Sequence, residues 1–129
     1  MIPAVTGVSP RVVEELLGLG GTEMIVRSAN NLDGILRTRP GDVLFVTSTG
    51  KREVREGTLG VIAEVTEVEV VREVLVASSG GERYERETTA ARVRLKTLGV
   101  GRVVRYENKG VGRRMEVEVE LEHVEPEAY

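Results

Sequence analysis

Arg39-Pro40-Gly41-Asp42-Val43-Leu44-Phe45-Val46, a polar stretch to Gly57, and then Leu59-Gly60-Val61-Ile62-Ala63-Glu64-Val65 decide how this chain folds. Pro40 fixes its own φ and Gly41 tolerates positive φ, so the pair fits the centre of a type II turn. Asp42 has a short carboxylate that accepts from nearby backbone N–H groups and closes such a turn. Val43 to Val46 is an unbroken apolar run, too short for a typical helix and rich in β-branched and aromatic residues. It reads as a strand buried on both faces. Gly57 and Gly60 bracket the start of a return strand. Between the two strands, Lys51, Arg52 and Arg55 stand against Glu53 and Glu56. That segment reads either as a solvated hairpin loop or as an anion-contacting loop at the rim of a barrel.

Upstream, Ser9-Pro10 begins the clearest helix. Serine is a good N-cap, and proline at the first helical position gives up an N–H that has no partner there anyway. Val12, Val13, Leu16 and Leu17 form its apolar face. Gly18, Gly20 and Gly21 end it; they follow a helix rather than a strand and lack a Lys-Ser/Thr sequel, so they do not read as a phosphate loop. Thr22 to Ser28 reads as a strand. Asn30 or Asn31 caps a short helical turn through Leu32 to Leu36, and Asp33 near its start suits the helix dipole. Arg27, Ser28, Asn30 and Asn31 form the most donor-rich cluster in the chain.

Downstream, Leu59 to Ala77 is one long β-type run. Its apolar residues switch parity between Val65 and Val68, which predicts a bulge or bend there. Ser78-Ser79-Gly80-Gly81 is a turn, and Glu82 to Thr89 a solvated loop or strand edge. Val93 and Leu95 alternate with Arg92, Arg94 and Lys96; Val103-Val104 sit between Arg102 and Arg105. Asn108-Lys109-Gly110 signals a turn. Met115 to Val124 is the cleanest strand, with Met115, Val117, Val119 and Leu121 on one face and Glu116, Glu118, Glu120 and Glu122 on the other. A row of four Glu needs neutralising, so a partner strand carrying Arg92, Arg94 and Lys96, or Arg102 and Arg105, is expected beside it.

Composition narrows function. The 129 residues suit one domain, 1–129, and the formal charge is only −3. That balance argues against strong non-specific nucleic-acid binding, which needs excess Lys and Arg. Fifteen of the eighteen basic residues are Arg and nineteen of the twenty-one acids are Glu. Glu–Arg pairing at that density fits a thermophile's ion-pair networks, or a GC-rich coding bias. With no Cys there is no thiolate metal site or disulfide. His123 is the only histidine; it reads as an edge residue with no nucleophile motif near it. No signal peptide or membrane span is visible, so a cytoplasmic location is the default. Only Phe45, Tyr84, Tyr106 and Tyr129 are aromatic, few for the stacking platforms of single-strand binders.

The order helix, strand, Arg27-Ser28-Ala29-Asn30-Asn31, Pro40-Gly41-Asp42, buried strand, then Gly57-Thr58-Leu59-Gly60 through Val65, resembles an archaeal family, domain of unknown function 473. The resemblance runs from about Val5 to Val124 and takes in Glu85 to Ala91 and Leu98 to Val103. More distantly, the Gly-Asp turn and Gly-led return strand are similar to PUA-like domains. That likeness implies a small mixed β-barrel with short helices and a bias towards RNA or modified bases; it assigns no catalytic residue.

The expectation is therefore an α+β, mainly β domain: a small PUA-like mixed β-barrel with one N-terminal helix and a short second helix. Its expected role is a non-catalytic binding module for RNA or a nucleotide-like ligand, with no cofactor and no metal. The expected contacts are Arg27, Ser28, Asn30, Asn31, Lys51, Arg52 and Arg55. The alternative is a structural or protein-interaction module, pairing as a homodimer, because the Val65 to Val76 run carries apolar residues on both faces. An enzyme is the least favoured reading.

Overall fold

A computed structural model of the chain describes residues 1–123. The side chain of His123, and Val124 and Tyr129, lie outside the described residues. The architecture is mainly β with two helices. In chain order the elements are β1 (Ile2–Val5), α1 (Pro10–Leu19), β2 (Gly21–Val26), α2 (Ala29–Ile35), β3 (Val43–Val46), a 3-10 turn (Lys51–Glu53), β4 (Leu59–Ser79), β5 (Glu82–Asn108) and β6 (Met115–His123). No described helix is long and apolar enough to cross a membrane.

The strands pair in the order β2-β5-β4-β3-β1-β6, and β6 also pairs β5. The pairings among β1, β3, β4, β5 and β6 thus return on themselves. Among the described residues only β1 and β3 run parallel; the chain between them supplies α1, β2 and α2 as the crossover. β2 lies outside the ring, antiparallel to β5 from Gly21↔Lys96 to Val26↔Ala91.

β3 shows why the ring forms. Leu44, Phe45 and Val46 are all fully buried, and alternation sends them to opposite sides. Leu44 and Val46 pack with Val5, Val61, Ala63 and Val65 beneath Leu16 and Ile35 of the helices. Phe45 faces the other way, among Ala4, Val54, Val103, Met115 and Val117 inside the ring. That interior is small. A Cβ on Gly60 would lie 2.5 Å from Phe45 Cζ and 2.6 Å from the Val46 carbonyl oxygen. Gly101, opposite Gly60, leaves similar room for Ile62.

Local chemistry accounts for most element ends. The Ser9 hydroxyl caps α1 by accepting from Arg11 N–H at 3.2 Å, and Gly20 closes the helix in the left-handed conformation (φ 75°). Gly18 is interior to α1 rather than its end, and Leu17 is exposed instead of joining the apolar face. Gly41 takes φ 98°, Asp42 N–H donates to the Arg39 carbonyl at 3.0 Å, and the Asp42 carboxylate accepts from Arg39 N–H at 2.9 Å. The parity switch on β4 is real: the β4–β5 register slips between Val65 and Glu67. The cap of α2 is Ser28, not Asn30 or Asn31, and its hydroxyl makes no cap hydrogen bond.

Two single-glycine changes test this packing with opposite signs. Gly60→Ala should cost about 1–3 kcal/mol, because its new methyl meets both a ring and backbone. Gly18→Ala, with open space around it inside a helix, should gain about 0.5–1 kcal/mol. Guanidinium unfolding of the two variants against the parent chain measures both.

Candidate functional site

The loop after β3 is held in place from below. Val54 is fully buried in the ring interior, so the Lys51–Glu53 turn ahead of it is tied to the mouth of the ring. Lys51 then spans to the β5–β6 connection. Its ammonium donates to the carbonyl oxygens of Gly110 (2.6 Å) and Arg113 (2.7 Å). Within that connection, Asn108 accepts from Gly110 N–H at 2.9 Å through its Oδ1, an Asx turn that presents the loop edge. Arg55 donates to the carbonyls of Arg52 and Val54, and its guanidinium sits 6.0 Å from the Tyr106 ring centroid.

An open groove of ≈ 720 Å³ lies between these two loops; Asn30, Lys51, Arg52, Glu53, Asn108 and Gly110 line it. Arg52 is exposed and forms no ion pair among the described residues. The structure therefore brings three of the seven sequence candidates, Asn30, Lys51 and Arg52, into one concavity, with Arg55 adjoining through its bond to Arg52.

The other three sit elsewhere. Arg27 makes a two-pronged contact with Glu73 on β4, at 3.2 and 3.0 Å. It lines a second groove, ≈ 530 Å³, between the start of α1 and β2, where Arg11 is likewise paired with Glu15. Ser28 is exposed at the start of α2. Asn31 is buried and serves the fold. Its Oδ1 accepts from Thr6 N–H at 3.0 Å, and its Nδ2 donates to the Thr6 carbonyl at 2.9 Å. The side-chain amide thus stands in for a neighbouring peptide unit just past the end of β1. Asn30 adds a bond from its Nδ2 to the Thr6 hydroxyl at 3.3 Å.

The Arg rows act as sheet ladders. Arg94 bridges Glu23 of β2 and Glu67 of β4, and Arg92 bridges Glu23 and Glu69. The Glu row of β6 is met by Arg102, which pairs with Glu120 and Glu122, and by Arg105, which pairs with Glu118. Of the two partner rows anticipated for β6, the second is the one present.

Asp33 is a hub the sequence did not reveal. Its carboxylate accepts from Arg114 N–H at 2.8 Å and meets Arg37, Arg113 and the Arg114 guanidinium. The bond from Arg114 N–H and the surrounding guanidinium groups hold its pKa down from 3.8 to about 2. Asp33 thereby ties α2 to the chain entering β6, next to the groove. Asn108 and Gly110 were legible only as a turn; their place beside Lys51 depends on strand pairing between distant segments. Among the described residues no group of three or more His, Cys, Asp and Glu is placed to hold a metal ion.

Residues 1–117 match the model of a family described as "Protein of unknown function (DUF473)". The chain belongs to that family. It is 29% identical over 102 residues to an uncharacterized protein of Methanocaldococcus jannaschii, a match covering 79% of this chain and 64% of that protein. The chain thus spans less than two thirds of that relative's length. No solved structure matches the chain.

A depressed carboxylate pKa stabilises the fold above its unfolded value and stops doing so as pH falls through its folded value. Asp33→Asn should therefore lower Tm at pH 7, and the gap to the parent chain should shrink from about pH 4 downwards and close near pH 2. Asn31→Leu should cost several kcal/mol at every pH, because two buried backbone groups of Thr6 lose their partner. Thermal unfolding across a pH series separates the two behaviours.

Proposed function

We propose that this protein is a non-catalytic binding module for RNA or a nucleotide-like ligand. The ligand's phosphate sits in the groove lined by Asn30, Lys51 and Arg52, with Arg55 and Tyr106 at its side. The observation that carries this reading is the unpaired state of Arg52. Ten of the fifteen arginines are in ion pairs with Asp or Glu among the described residues. Arg52 is one of the five outside any such pair, and it lines a concavity beside an amide-bearing turn, with Glu53 in the same lining. A guanidinium is suited to phosphate through its planar fork of donors. Tyr106 offers an aromatic surface within reach of the same loop, the second ingredient of nucleotide recognition.

The architecture supports the same reading. Strand pairings that return on themselves, with one parallel pair among the described strands, are compatible with the small mixed barrel that the PUA-like resemblance implies. Glu15, Asp33, Glu73 and Glu107 are all shifted downwards by hydrogen bonds and neighbouring cations, so each is held as an anion within the fold's own contacts.

Fluorescence anisotropy with total tRNA and a matched duplex DNA, over a salt series, is the deciding measurement. The expected result is tighter binding to the RNA, with affinity falling as salt rises. Arg52→Ala should weaken that binding and reduce the salt slope by about 0.7, the loss of one phosphate contact on a single strand. Affinity and slope unchanged in Arg52→Ala would show that the groove is not the contact surface.

A further inference from the structure

The β4–β5 hairpin runs well past the rest of the sheet. β2 stops at Val26↔Ala91, and beyond it Val71–Ser79 and Glu82–Ala90 pair only with each other. Gly80 and Gly81, at φ 61° and 81°, join them in a tight two-residue turn. An isolated two-stranded ribbon is marginally stable in water. This one also exposes Val74, Val76 and Tyr84. Its outer edges carry no proline and no register slip beyond Glu67; of the devices that commonly protect such edges, charge is the one present.

The outer edge of β5 reads Glu82-Arg83-Tyr84-Glu85-Arg86. Laid antiparallel against itself about Tyr84, this run sets Glu82 opposite Arg86 and Arg83 opposite Glu85, twice over, with Tyr84 opposite Tyr84. Shifting the centre to Glu85 sets Glu85 against itself. Shifting it to Arg86 sets Arg86 against itself and Glu85 against Glu87. The β4 edge has no such complementarity. Opposite residues in a symmetric antiparallel pair share parity, so Arg72 meets Val70, Val74 or Val76 and never Glu67, Glu69 or Glu73. The backbone agrees with the charges. The tight turn makes Ser79–Glu82 a hydrogen-bonded pair, so alternation turns the N–H and C=O groups of Arg83 and Glu85 away from β4. Those are the groups that a pairing centred on Tyr84 needs.

We propose that the outer edge of β5 at Glu82–Arg86 pairs antiparallel with the same edge of a second copy of this chain, the two-fold axis passing between the two Tyr84 residues. Two marginal ribbons thereby become one four-stranded sheet, and opposite charges fix its register.

Sedimentation equilibrium tests this with four forms of the chain. The parent should have twice the 14.1 kDa chain mass. Arg83→Glu and Glu85→Arg each place like charges opposite one another at two symmetric positions, and each should weaken the dimer by roughly tenfold or more. An equimolar mixture of the two variants restores opposite charges across the axis and should recover the dimer. The double exchange, R83E with E85R, should recover it within one chain. Arg83 and Glu85 make no ion pair within their own chain among the described residues, so each single variant should keep the parent's circular dichroism spectrum. A parent chain that stays monomeric, a dimer that Arg83→Glu leaves intact, or a mixture no more associated than its components would each overturn the proposal.

Discussion

The fold depends on one close approach, the Phe45 ring against the bare backbone of Gly60. A single strand of four residues has to fill two cores at once. On one side Leu44 and Val46 anchor the helices; on the other Phe45 is the largest side chain inside the ring. Aromatic bulk in so narrow an interior is possible only because the opposing strand offers no Cβ at that level. Val54 then rests on the same interior, so the loop bearing Lys51 and Arg52 inherits its position from the packing around Phe45. The candidate site is thus supported by apolar contacts and not by its own polar bonds alone, which is how a surface loop acquires the rigidity that recognition needs.

Charge has a second, separable job. Arg92, Arg94, Arg102 and Arg105 are each shared between strands, and most of their contacts are exposed and individually weak. Their value lies in register. A one-residue slip of β6 against β5 would take Glu118 and Glu120 away from Arg105 and Arg102 and turn the buried faces of Met115 and Val117 outwards. Because ten of the fifteen arginines are in ion pairs among the described residues, the five that are not carry information.

What could be read in the sequence follows from range. The Pro40-Gly41-Asp42 turn, the Ser9-Pro10 helix start, the bulge after Val65 and the Gly80-Gly81 reversal are local rules about φ and side-chain alternation, and each is present. The strand Ile2–Val5 was missed, since four residues containing a proline carry little periodic signal. Val93 to Val104 looked like several pieces because Leu98-Gly99 interrupts the alternation; it is one strand whose register slips opposite Ile62 and Ala63. Asn31 looked like a ligand donor because an amide that replaces a peptide group has the same sequence signature as one that awaits a partner. The convergence of Asn30, Lys51 and Arg52 required knowing which distant strands are neighbours, and no local rule supplies that.

The pairing of Ile2 with Val117 has a consequence for how the chain is made. A ribosome adds about 5–20 residues per second, so the first strand waits on the order of 6–20 s for its last neighbour to be synthesised. Throughout that interval Ala4 and Phe45 have no Met115 or Val117 to cover them, and β1 has an open edge. The β4–β5 pairing joins neighbouring segments, and all of its residues are made before those of β6. The β1–β6 pairing joins segments more than a hundred residues apart, so it is among the last contacts the chain can make. The nascent protein is most vulnerable to mispairing in the seconds before β6 arrives.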